Sequence, residues 1–151
     1  MTTYYSNKYT PGGALLAQPR FLPSAGGVNV LAVFSLTAAL AQNDIIQMLQ
    51  VAPNASGINP QCIGALLDVD KLDNGGTPAI QLDVGTTGTA QAFFAAVNTA
   101  QAGGYTTPNI AGALGFTFPA VDTVQVKVHT GPQSGATSGK VRLLFEYTFD
   151  P

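Results

Sequence analysis

Between Val141 and Phe149 the side chains alternate without a break: Val141, Leu143, Phe145, Tyr147 and Phe149 on one parity, Arg142, Leu144, Glu146 and Thr148 on the other. A period of two predicts a strand with one buried face, because successive β residues point to opposite sides of a sheet. The same period runs from Thr123 to Thr130, where Val124, Val126 and Val128 face inward and Gln125, Lys127 and His129 face out. It begins at Val28, with Val30, Ala32, Phe34 and Leu36 set against Leu31, Val33, Ser35 and Thr37. Ile45 to Val51, Cys62 to Val69, Ala79 to Val84 and Ile110 to Phe118 supply further expected strands.

Turn residues separate these runs. The chain holds 17 Gly and 10 Pro, which favours many short elements over long helices. Asn43-Asp44, the loop from Pro53 to Pro60, Gly85 to Gly88 and Gly131 to Gly139 punctuate the strands, the last reading as a long hairpin connection. Ala90 to Ala102 alone has helical character, with Phe93, Phe94 and Val97 at the spacing of one helical face. It predicts either a short helix or an irregular excursion, stopped by Gly103 and Gly104. Seven or eight short strands with turns between them predict an all-β chain, an antiparallel, jelly-roll-like sandwich with at most one short helix. Residues 28–151 then form one domain and residues 1–27 an extended arm.

The densest turn signal lies in Leu66 to Gly85, where two apolar runs flank Asp73, Asn74, Gly75, Gly76, Thr77 and Pro78. Four of the chain's 8 acidic residues, Asp68, Asp70, Asp73 and Asp83, fall in this stretch. Asp68 and Asp70 share a strand face, and with Asp73 they are the candidate ligands for a hard cation such as Ca²⁺. The EF-hand spacing is missing, so turn-forming carboxylates that bond nearby backbone are the favoured reading. The stretch is expected to hold two core strands and the turn that sets their register.

Charge excludes several function classes. Only 9% of residues are charged, against about 25% in an ordinary soluble domain, and the net charge is −2. No basic footprint for nucleic acid is present. The longest apolar-rich window, Val28 to Ala41, is interrupted by Asn29, Ser35 and Thr37 and is too short to span a bilayer. No secretory signal is evident, so the expected place of synthesis is a cytoplasm and the Asn54-Ala55-Ser56 sequon carries no weight. Cys62 is the single cysteine and is expected to be a buried hydrophobe, with no disulfide and no cysteine-based metal site.

Catalytic patterns are missing too. His129 is the single histidine, and its parity places it on the solvent side of a strand. There is no Gly-x-Ser-x-Gly elbow, phosphate loop or zinc-binding His pair, so neither enzyme activity nor a cofactor is expected. A surface built from Thr, Gln, Asn, Ser and Gly suits a subunit packed against neighbours.

Residues 1–27 differ from the rest. Tyr4, Tyr5, Lys8 and Tyr9 are followed by Pro11, Pro19, Pro23 and several Gly, a density that excludes helix and does not favour a paired strand. Tyr and Arg are the types that anchor interfaces, so Tyr4, Tyr5, Lys8, Tyr9 and Arg20 are the candidate partner-binding residues of an arm that orders on its partner.

Three stretches in order, Gln42 to Met48 (QNDIIQM), Asp70 to Gly85 (DKLDNGGTPAIQLDVG) and Ala100 to Gly104 (AQAGG), resemble decoration or cement-type capsid proteins of tailed bacteriophages and related minor virion proteins. The most specific piece is Leu72 to Pro78 followed by Leu82 to Gly85, a pattern of turns rather than of chemistry. The resemblance implies a jelly-roll subunit, commonly trimeric, bound to the major capsid protein on the outside of an icosahedral shell. It brings no catalytic residues. The low charge and the Ala-rich 90–102 segment depart from it. Two rival readings are a tail, collar or fibre-associated subunit and a carbohydrate-binding jelly roll, although the chain has no Trp for stacking sugars.

Overall fold

The computed structural model describes residues 1–9 and 27–149. Nine strands and one four-residue helix follow in the order β1 (Thr3–Lys8), β2 (Val28–Ser35), β3 (Ile45–Val51), β4 (Gln61–Val69), β5 (Gln81–Thr86), β6 (Phe94–Val97), α1 (Thr99–Ala102), β7 (Gly104–Thr106), β8 (Asp122–Thr130) and β9 (Lys140–Thr148). They build a five-stranded sheet, β1-β3-β8-β5-β6, and a four-stranded sheet, β2-β9-β4-β7. All pairings are antiparallel except β1 with β3. The sandwich expected from the alternation is the observed fold.

The inward parities meet between the sheets. Val124, Val126 and Val128 of β8 and Leu82 and Val84 of β5 line one side, and Ala32, Leu67, Leu143 and Phe145 the other, all fully buried. Each such Val, Leu or Phe side chain contributes about 1.5–3 kcal/mol on leaving water, which makes this layer the main source of stability. Phe93, Phe118 and Phe145 fill its centre, with Phe93 and Phe145 edge to face at 5.1 Å.

Four expectations need correction. Neither Leu66 to Gly85 nor Gly131 to Gly139 joins strands of one sheet. β4 and β9 pair in the four-stranded sheet, while β5 and β8 pair in the other. Both connections therefore cross from one sheet to the other, and neither is a hairpin. Alternation identifies a strand with one core face; in a sandwich each sheet offers such a face.

Ile110 to Phe118 is a chain of turns, held to the start of β4 by the Gln61–Thr117 bridge and by backbone hydrogen bonds of Cys62 with Gly115 and Phe116. Gly112 and Gly115 sit at φ 84° and 94°, left-handed positions that interrupt a strand. Phe118 is buried all the same. The Ala-rich segment divides into β6 and α1 instead of forming one helical face, with Ala96 inside β6 at φ 48°. Finally, the start of the chain does pair: Thr3–Lys8 lies parallel to β3, with Thr3 opposite Ile45 and Tyr5 opposite Gln47.

Candidate interaction surface

The N-terminal candidates are divided by the strand they share. Tyr4 points inward, 5.4 Å from the ring of Phe34, and packs against the core. Tyr5 points outward and stacks on Tyr9, with ring centroids 5.4 Å apart and planes at 12°. Tyr5 is 45% exposed, and Lys8 beside it is exposed as well. Arg20 lies outside the described residues.

Several polar groups tie this strand down. Thr2 N–H donates to buried Asp44 at 2.6 Å, and Ser6 Oγ donates to the carbonyl of Met48. Asn7 Oδ1 accepts Val33 N–H of β2 at 2.8 Å, linking the two sheets along this edge. Residues 3–8 are thus part of the sandwich wall, and the outward pair Tyr5 and Tyr9 with Lys8 is what that wall presents.

The acidic candidates separate into two environments. Asp73 is fully buried and accepts five backbone N–H groups: Gly75 and Ser134 on Oδ1, Ala79, Ile80 and Gln133 on Oδ2, at 2.8 to 3.3 Å. Burial alone would raise its pKa. The amides of Ala79, Ser134, Gly75 and Gln133 outweigh that and hold the carboxyl far below the usual range. Its oxygens are engaged by the two crossovers, which is the turn-forming role expected of it.

Asp68 and Asp70 sit instead on the outer face of the four-stranded sheet. Arg142 Nη1 donates to Asp68 Oδ2 at 3.1 Å and to Asp70 Oδ1 at 2.9 Å. All three side chains are partly exposed, so the cluster orders side chains more than it stabilises the fold. Among the described residues no group of three His, Cys, Asp or Glu side chains is placed to hold a metal ion.

His129 does lie on the solvent side, yet it has a partner. Its Nδ1 stands 2.9 Å from Asp83 Oδ2. Asp83 is buried and also accepts Gln91 Nε2 at 3.0 Å and Ala96 N–H at 2.8 Å. This carboxylate therefore pins the segment that folds over β5. Cys62 is buried, which pushes its thiol up to about 11; a backbone hydrogen bond at Gly64 opposes this and Glu146 adds to it.

One feature escaped the reading of the sequence. Leu31, Leu144 and Leu66 occupy directly opposed positions on β2, β9 and β4, forming a row across the outer face of the four-stranded sheet. Leu31 is 50% exposed and its two partners partly so. Val33, and Tyr105 at 74% exposure, lie to one side, and exposed Ile63 lies toward the other end of β4. Each leucine stands on the outward parity of its strand, which is legible locally. Only the register reveals that they touch.

No family model matches the sequence, and no curated protein matches it. Among solved structures, the fold matches a chain from the capsid of Ralstonia phage GP4 with TM-score 0.75 and 28% identity, covering 99% of each chain. It also matches a chain of the cyanophage Pam1 capsid asymmetric unit, TM-score 0.67, at 22% identity over 95% of this chain and 99% of that one. A third match is to the acid-stable capsid of Helicobacter pylori bacteriophage KHP30, TM-score 0.53, at 15% identity over 83% of this chain and 92% of that one. The second and third likenesses speak for the fold alone. The first supports a structural protein of a phage virion.

Proposed function

We propose that this chain is a capsid decoration subunit, bound to the outer surface of a phage shell and bridging neighbouring major capsid proteins. The observation that carries the reading is the end-to-end likeness to a chain of the Ralstonia phage GP4 capsid, at 99% coverage in both directions and 28% identity. The match takes in the whole sandwich, with no large domain left over on either chain. A low-charge wall suits the role, because many copies of a weak contact sum on a symmetric lattice without any one interface being large. Tyr5, Lys8 and Tyr9 on the outward side of β1 supply the contact with the shell, joined by Arg20; Tyr4 supports the strand from within.

The test is binding of purified protein to shells of the phage that encodes it. Deleting the start of the chain would remove a sheet strand, so point variants serve better. Tyr5→Ser with Lys8→Ser is expected to leave the fold intact and reduce shell occupancy at least tenfold. Wild-type protein that does not bind shells sinks the decoration reading. Undiminished occupancy by the double variant removes β1 from it. Electron cryomicroscopy of the virion distinguishes the rival tail or collar subunit, which would occupy one vertex rather than the whole shell.

A further inference from the structure

The crossover from β4 to β5 holds the chain's single Asn-Gly pair, Asn74-Gly75. An asparagine followed by glycine is poorly protected against loss of its amide. Glycine has no side chain to keep its own backbone nitrogen away from the asparagine Cγ. Asn74 is exposed, and its side-chain amide makes no hydrogen bond within the described residues. The leaving group and the water that completes the reaction both have access.

We propose that Asn74 is a deamidation site that the fold keeps closed through the Asp73 carboxylate and that reacts only when the β4–β5 and β8–β9 crossovers part. In the reaction the Gly75 nitrogen gives up its proton to solvent base and bonds to the Asn74 Cγ. The bond from Cγ to the side-chain nitrogen breaks, and that nitrogen leaves with a proton as ammonia. The product is a five-membered succinimide, which water opens at either carbonyl to leave aspartate or isoaspartate at position 74. One amide and one water thus become one carboxylate and one ammonium ion, with nothing oxidised or reduced.

Each step meets an obstacle in the fold. Gly75 N–H donates to Asp73 Oδ1 at 3.0 Å, so losing the proton would set a nitrogen anion against a carboxylate. Burial alone would raise the Asp73 pKa, but the amides it accepts hold it far below the usual range, and it stays ionised wherever this reaction runs. The nitrogen must also swing toward Cγ, which turns the peptide joining Asn74 to Gly75. That peptide is held from both sides. Asn74 N–H donates to the Ser134 carbonyl at 2.7 Å. The Gln133 side chain lies against Gly75, where a Cβ would overlap it, and accepts Thr77 N–H at 2.9 Å. Ser134 and Gln133 belong to the other crossover, so an unfolded chain of the same sequence lacks their hold. A chain that reacts gains a negative charge beside Asp73, and the isoaspartate form lengthens the main chain there by one methylene. Neither product fits the joint, so a chain that has opened and reacted does not refasten.

Wild-type protein kept at mildly alkaline pH, folded and in guanidinium chloride, tests this. Peptide mapping by mass spectrometry, with isoaspartyl methyltransferase labelling, reads position 74. The folded chain is expected to lose the amide at least tenfold more slowly than the unfolded one. Hydrogen exchange at the Gly75 amide is expected to be slowed at least tenfold too, since both events need the same proton to leave. Asp73→Asn, folded as judged by circular dichroism, is expected to speed the loss at least tenfold over the folded wild type. A folded wild type that reacts as fast as the unfolded chain overturns the proposal. So does an unfolded chain that keeps its amide at position 74, or a Gly75 amide that exchanges at the unfolded rate. A folded Asp73→Asn as slow as the wild type overturns it as well. Should that variant fail to fold, the wild-type measurements decide.

Discussion

The Asp73 carboxylate accepts the backbone N–H of Ser134 at 3.0 Å, 61 residues further along the chain. Asp73 lies on the crossover from β4 to β5, and Ser134 on the crossover from β8 to β9. Asn74 N–H donates in return to the Ser134 carbonyl at 2.7 Å, and Ala136 N–H to the Leu72 carbonyl at 3.0 Å. One buried side chain thus fastens together two of the connections that carry the chain between the sheets.

Replacing Asp73 by Ala leaves five N–H groups, one of them fully buried and four partly so, without their acceptor. Unsatisfied buried donors are costly, so the thermal midpoint is expected to fall by about 10 °C or more. Differential scanning calorimetry at neutral pH measures it. A drop within a few degrees would show that water replaces the carboxylate.

The same residue sets an acid limit. Its folded-state pKa lies below the ordinary 3.8. The stability it contributes is therefore present above that value and is lost as pH falls through it toward the depressed folded value. Urea midpoints are expected to decline from about pH 4 to about pH 2 in the wild type. Asp73→Asn, which cannot titrate there, is expected to start lower and decline less steeply over that window. Parallel curves would assign the acid sensitivity to other carboxylates.

Gly85 and Gly88 make a controlled pair. A Cβ at Gly85 would stand 2.1 Å from the Thr89 carbonyl oxygen and 2.4 Å from the Ala90 carbonyl carbon, both backbone atoms that cannot swing away. At Gly88 nothing lies within 4 Å and φ is not left-handed. Gly85→Ala is expected to cost about 3 kcal/mol or more by overpacking, and Gly88→Ala less than about 0.5 kcal/mol. Urea denaturation of the two variants decides it; equal costs would contradict the close crossing of residues 89–90 over β5.

Tyr4 and Tyr5, adjacent in sequence, are expected to separate by function. Tyr4→Ala removes a ring packed on Phe34 and the core, at about 2–3 kcal/mol. Tyr5→Ala loses only the surface stack on Tyr9, at less than about 1 kcal/mol. Equal stability losses would mean that both rings are structural and would weaken the assignment of Tyr5 to a partner.

The Cys62 thiol is buried and its pKa is pushed up to about 11. Thiolate is the reactive form, so at pH 8 the native protein is expected to react with a thiol reagent many-fold more slowly than the urea-unfolded chain. Following 5,5′-dithiobis(2-nitrobenzoate) absorbance with and without urea reads this directly. Comparable rates would mean that β4 opens readily near its bulge between Cys62 and Gly64.

The strand class was legible because its signal is local: parity repeats every two residues wherever one face is buried. Hence the core positions Val124, Val126, Val128, Leu143 and Phe145 and the outward position of His129 could be read from the chain alone. The architectural role of Asp73 was legible in kind, since Asp beside Asn-Gly-Gly serves turn geometry. Its partners were not, because Gln133 and Ser134 are distant in sequence. Thr3–Lys8 was missed because tyrosines followed by a proline-rich run resemble an arm, and only docking beside β3 satisfies that strand. What the sequence by itself determined is an all-β chain, the set of side chains that must be buried and the turns between strands, all consequences of short-range sterics and hydrophobic alternation. The tertiary structure alone decided which sheet each strand joins and in what register, since those choices depend on pairing between distant segments. The same register turns three unremarkable outward leucines into one surface.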